Sequence, residues 1–135
     1  MTTLEAVRNA TGFGGAMKEQ RTQIYGSVVE FVENYLSQVY RRKVADNGLA
    51  WCPEWWRHTE AVARLEALWR SWERYRLNDG LGMSLWFLDH ADSHMNVLLD
   101  PNGPFAGCSM HNGHTDRIWP LSVKSPPPDT FSPTG

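Results

Sequence analysis

Cysteine is scarce, with two in 135 residues. That is too few for a disulfide scaffold, so a reducing cytoplasm is the expected compartment. Neither sign of charge prevails: 13 basic and 15 acidic side chains leave a net charge of -2, which gives no bulk field toward nucleic acid or anionic lipid. No stretch approaches the roughly 18 uninterrupted apolar residues of a membrane span, and the opening Met-Thr-Thr-Leu-Glu lacks a signal-peptide core. Familiar catalytic motifs are missing too. There is no Gly-x-Ser-x-Gly elbow, Gly12, Gly14 and Gly15 lack the lysine of a phosphate loop, and Ala91 after His90 rules out His-Glu-x-x-His. Met110-His111-Asn112-Gly113-His114 superficially resembles the His-Asn-His nucleases. It is too compact for them, because they spread those residues over a hairpin and a helix.

What is present describes a folded domain. The length suits one domain, and 41% hydrophobic against 21% charged residues is too apolar for a disordered chain. Seven tryptophans are the anomaly. Residues 1–17, glycine-rich and without an apolar period, read as a flexible arm, 18–122 as a single helical domain, and 123–135 as a disordered proline-rich tail.

Two long helices follow from apolar periodicity. Ile24, Val28, Phe31, Val32, Tyr35, Leu36 and Val39 recur at spacings of three and four up to Lys43. Ser27 with Glu30 matches a capping box, so that helix is expected to start at Ser27. Ala61, Val62, Leu65, Leu68, Trp69, Trp72 and Tyr75 form the stripe of a second helix, Thr59 to Arg76. A short helical turn is expected from Pro53. Met83 to Leu88 is either a strand or a buried helical turn, so a short strand pair stays open. Asp92 is a candidate cap for a third helix, Ser93 to Leu99, and Asp100-Pro101-Asn102-Gly103 is a turn. The fold class is mainly α.

Chemistry is sought among five histidines and two cysteines. His90 and His94 share a helix face if that segment is helical, and Cys108, His111 and His114 follow as Cys-x2-His-x2-His. Zinc takes four nitrogen or sulfur ligands in a tetrahedron. One structural zinc held by His90, His94, Cys108 and His114, with His111 as an alternative ligand, is therefore one reading. The other is that Cys108 is a small buried apolar residue and the histidines are surface or capping groups. Cys52 and His58, six apart around Pro53, are set aside as ligands, and His58 is read as a cap for the helix at Thr59.

A binding surface is the further candidate. Trp55 and Trp56 point about 100° apart on a helical turn, beside Arg57 and Arg64, with Arg70 and Arg74 farther along. Such a surface suits a protein partner, or stacking on single-stranded nucleic acid. The bland alternatives are an aromatic core for a small domain and a solvated charged face on which Glu60, Glu66 and Glu73 interleave with the arginines.

Trp51-Cys52-Pro53-Glu54-Trp55-Trp56-Arg57-His58, Glu60 to Trp69, Asp89-His90, His94-Met95 and Gly103 to Cys108, together with Phe31 to Leu36 and Tyr40-Arg41-Arg42, resemble an actinobacterial domain-of-unknown-function family. The resemblance implies a protein encoded on phages, prophages or conjugative elements, often near DNA-transfer genes, with no assigned activity. Thr59 stands where the family has proline.

These residues together favour a non-enzymatic accessory protein of a mobile genetic element. It would bind a protein partner in preference to nucleic acid, and no membrane. One alternative is a metal-dependent nuclease or hydrolase using His90, His94 and Asp92, and another is a phage-encoded inhibitor of a host protein.

Overall fold

The structure, a computed structural model, describes residues 22–44 and 48–131. The N-terminal arm expected over 1–17 lies outside the described residues. Among those described, three helices carry the fold.

Helix α1 covers residues 28–39. Ser27 is extended and its hydroxyl accepts the Glu30 N–H at 3.2 Å, while the Glu30 carboxylate accepts the Gly26 N–H at 3.0 Å. This is the expected capping box with its return bond shifted by one residue. α1 opens as Val28–Phe31, widens into a π-helical turn, Val32–Leu36, and closes as Ser37–Val39. It stops short of Lys43 because Tyr40 leaves helical geometry (φ -102°, ψ 81°). That turn carries the Tyr40 hydroxyl to Asp92, at 2.6 Å.

Helix α2 is Thr59–Tyr75, and its buried face is Ala61, Leu65, Leu68, Trp69 and Trp72. Helix α3 covers residues 82–99, as Gly82–Trp86, a π-helical turn Phe87–Ala91, and Asp92–Leu99. Met83 to Leu88 is thus helical. Asp92 is no cap, since the helix runs through it (φ -62°, ψ -41°) and its carboxylate accepts from Tyr40. Nor does a strand pair form: among the described residues only the isolated bridges Val44–Leu49 and Ser109–Gly113 occur. Gly82 explains how α2 turns into α3. A Cβ there would lie 2.0 Å from the Tyr75 carbonyl oxygen, so any side chain would push the two ends apart.

The tryptophans go largely into the core between these helices. Trp86 is fully buried, and its indole N–H is shared between the Leu68 carbonyl (3.2 Å) and the Ser71 hydroxyl (3.0 Å). Ring centroids of Tyr35 and Trp72 are 4.8 Å apart, and Phe31 meets Trp86 edge-on at 6.2 Å. Such aromatic packing lets a small domain bury a large area with few side chains.

Glu73 departs from the solvated face expected of it. It is buried and pairs with buried Arg76 at 2.9 Å. Its carboxylate also accepts the Ile24 and Tyr25 N–H groups, each at 3.0 Å, and Arg76 donates to the Thr22 carbonyl. The pair ties the irregular lead-in of α1 to the end of α2. Irregular segments of this kind leave backbone donors that a buried carboxylate can satisfy.

A second layer lacks regular structure. Residues 50–58 join it to the helices through the Ala50 N–H and the Leu99 carbonyl, 2.9 Å apart. The expected turn Asp100–Gly103 closes with a 2.8 Å bond and leads into residues 105–116. Beyond Thr115 the described chain is exposed and without helix or strand. Among the described residues no helix is long and apolar enough to cross a membrane.

Candidate metal centre

Two short arms of identical spacing meet in this second layer. The first, Cys52 to His58, makes a turn at Pro53 and a 3-10 turn, Trp55–Arg57, before His58 enters extended geometry (φ -108°, ψ 116°) as the N-cap position of α2. His58 makes no side-chain cap bond there. Its ring turns instead toward the second arm, Cys108 to His114.

That arm is a closed loop. Ser109 and Gly113 exchange backbone bonds of 3.2 and 2.7 Å, and the Ser109 hydroxyl accepts the Asn112 N–H at 2.8 Å. Gly107 (φ +85°) and Gly113 (φ +69°) supply the left-handed backbone that folds His114 back over Cys108. At Gly107 an added Cβ would also lie 2.9 Å from the Thr115 hydroxyl.

The arms interlock by exchanging partners. Cys52 Sγ lies 3.4 Å from His114 Nδ1, and Cys108 Sγ lies 3.5 Å from His58 Nε2. All four ligand atoms fall within 4.8 Å of one another. Zinc–sulfur and zinc–nitrogen bonds of about 2.3 and 2.0 Å at tetrahedral angles place S and N about 3.5 Å apart. The two measured separations match that value. Both cysteines are buried and free, and the His114 side chain is 7% exposed.

The surroundings are those of a ligand shell. His114 Nε2 bonds Asp116 Oδ1 at 2.9 Å, which fixes the ring and leaves Nδ1 for the cluster. The Thr115 N–H donates to Cys108 Sγ at 3.3 Å. Phe105, fully buried, stands 5.0 Å from the His58 ring and 4.9 Å from Trp51. Burial first, then the neighbouring Cys108 and Glu54, pushes the Cys52 thiol up to about 11, against the lowering effect of the Glu54 backbone N–H. Burial, then the charge of His114, lowers His58. Low-dielectric surroundings thus disfavour an isolated thiolate or imidazolium, and a divalent cation held by these residues would supply the charge that makes thiolates stable there. The four residues can hold a metal ion.

Half of the sequence-derived ligand set lies in this cluster, Cys108 and His114. His90 and His94 do not. α3 packs against α2, so its histidines meet that helix: His90 Nε2 is 3.0 Å from the Tyr75 hydroxyl, and His94 Nδ1 is 2.9 Å from Arg64 Nη1. Arginine only donates, so His94 Nδ1 accepts and the ring is neutral. Burial, followed by the Arg64 charge and then His90, lowers its pKa. His111 is exposed on the loop. The set His90, His94 and Asp92 is not assembled, and among the described residues the Cys-His cluster alone gathers three or more metal-type ligands. For Cys52 and His58, set aside as ligands on the sequence, one signal does exist, the recurrence of Cys-x5-His in both arms.

The candidate binding surface separates as well. Trp55 is buried at 6% exposure, whereas Trp56 is 57% exposed. Arg57 pairs with Glu54 at 3.1 Å and Arg64 with Glu60 at 2.9 Å. Arg70 lies over the Trp69 ring at 5.2 Å, and Arg74 is exposed.

Neither the curated proteins nor the solved structures contain a match to this chain. One family model does match, that of the domain of unknown function DUF4913, over residues 25–127. The span takes in all three helices and both Cys-x5-His arms, well over half of the 135 residues. On that match, the chain belongs to the DUF4913 family.

Proposed function

We propose that this protein is a zinc-stabilised helical binding module, acting by contact with a protein partner and without turnover of a substrate. The observation that carries the reading is the closed set of four ligands from two arms, with Cys52 and Cys108 buried, His58 and His114 half-buried, and all four ligand atoms within 4.8 Å. Catalytic zinc needs a coordination position for water or substrate, whereas structural zinc is fully enclosed by protein. Here protein atoms supply all four positions. Thiolate and imidazole donors also suit zinc better than calcium or magnesium. The near-neutral charge supports a protein target over DNA, since phosphate contacts require clustered cations. The resemblance to proteins of phages and conjugative elements supports an accessory role in such an element.

Elemental analysis of untagged protein tests the metal. About one zinc per chain is expected, lost in Cys52→Ser and Cys108→Ser and kept in His90→Ala and His94→Ala. A zinc content that survives both cysteine changes, or that depends on His94, would overturn the assignment. Hydrolysis abolished by His94→Ala in a folded protein would favour the enzyme instead.

A further inference from the structure

Past the metal loop the chain exposes an apolar segment without helix or strand. Trp119 is 83% exposed, Leu121 91% and Val123 85%. In an extended chain these alternate positions project on one side. The segment lies within the span shared with the family. Its exit from the body is fixed: the Thr115 hydroxyl donates to the Ala106 carbonyl at 3.3 Å, and the Thr115 N–H to Cys108 Sγ.

The same molecule carries an open groove with an aromatic and aliphatic floor and the charged Glu33 and Arg42 in its lining. A cavity of about 470 Å³ is walled by Leu36, Tyr40, Trp51, Pro53, Trp55 and Leu99, and Ser37 stands exposed on its wall. It continues past Trp51 and Pro53 into a second hollow of about 570 Å³ beside the metal loop. Aromatic-lined grooves of this kind take extended, proline-containing peptides, whose backbone is already nearly in its bound form. Ile118-Trp119-Pro120-Leu121-Ser122-Val123 is such a peptide. Among the described residues of the single chain, nothing fills the groove and the segment stands exposed.

We propose that the groove is filled by residues 118–123 of a second copy of this chain, in an arm-exchanged homodimer. A segment with one exposed tryptophan, leucine and valine offers on the order of 500 Å². Two arms in two grooves, counted on both partners, reach the roughly 1,600 Å² of a stable interface. The exchange is reciprocal, so the symmetry closes at two copies and leaves no segment free. The inference goes beyond the metal site, and neither the groove nor the segment contains a ligand of that site.

Multi-angle scattering behind size exclusion tests it on the full chain. The wild type is expected at twice 15.4 kDa at tens of micromolar. The arm variant Trp119→Ser/Leu121→Ser and the groove variant Ser37→Trp are each expected as monomers with unchanged circular dichroism. Mixed, they retain one intact arm and one intact groove, half of the interface, and should associate only at higher concentration than the wild type. A monomeric wild type, or a dimer that survives the arm variant, would overturn the proposal. Zinc content is read on the same samples, so loss of the dimer with zinc retained separates this proposal from the metal assignment.

Discussion

Around Trp86 the three helices hold together by area, with ring against ring and a pair of hydrogen bonds to one indole. Around Cys108 the two arms have only the 3-10 turn Trp55–Arg57 as regular structure, and beside Trp55 and Phe105 of the same core two sulfurs and two imidazoles meet. The aromatic layer is self-sufficient because apolar burial is non-directional and tolerates small displacements. The sulfur–nitrogen layer is not. Its sulfur–nitrogen contacts are directional, at 3.4 and 3.5 Å, and its backbone needs positive φ at Gly107 and Gly113; on the proposed function its stability would come from a bound cation. The domain thus sets a helical core that folds by area beside a loop layer that, on the proposed function, would fold by ligation.

Removing the ion breaks this comparison most sharply. Zinc-finger peptides draw roughly 10–16 kcal/mol from their ion, an upper bound for the arms here. After chelation, amide exchange should accelerate across residues 50–58 and 105–116 while the centre of α2 stays protected. Uniform acceleration throughout, or none, would show that the two layers are not separate.

The converse test empties the core. Trp86→Ala removes a fully buried ring and should cost about 3–5 kcal/mol, measured by urea unfolding of the zinc-loaded protein. Its zinc content should stay near one per chain in the folded fraction.

The smallest effect belongs to the seam where α2 meets α3. His94 is lowered from its ordinary value of 6.5, so the unfolded chain binds that proton more tightly than the native one. Its contribution is therefore full above about 6.5 and is lost as pH falls from there toward the lower native value. His94→Gln should flatten the stability–pH curve in that window relative to wild type. An unchanged curve would mean that the contact with Arg64 carries no pH dependence.

Much of the helical layer was legible because its causes are local. Ser27 and Glu30 mark the start of α1, and the stripe from Ala61 to Tyr75 gives α2 nearly residue for residue. Misreadings came where a neighbour decided. Asp92 looks like a cap by composition, yet the Tyr40 hydroxyl occupies its carboxylate and the helix runs on. Glu73 fits the spacing of a surface pair, but the backbone of Ile24 and Tyr25 claims it. His90 and His94 have true ligand spacing on a helix, and that face lies against Tyr75 and Arg64.

By itself, then, the sequence determined a mainly α domain with an aromatic core. Periodicities of three and four residues and capping side chains act within one turn of chain. It also carried the twin Cys-x5-His arms, though not the information that they meet. That meeting is a tertiary event: the bonded pairs Cys52–His114 and His58–Cys108 are separated by 62 and 50 positions. Only the packing of α2 against α3, with the turn at Gly103, brings those arms to one point. Local spacing specifies which way a side chain faces along its own element, and the distance to a partner on another element depends on how the elements pack.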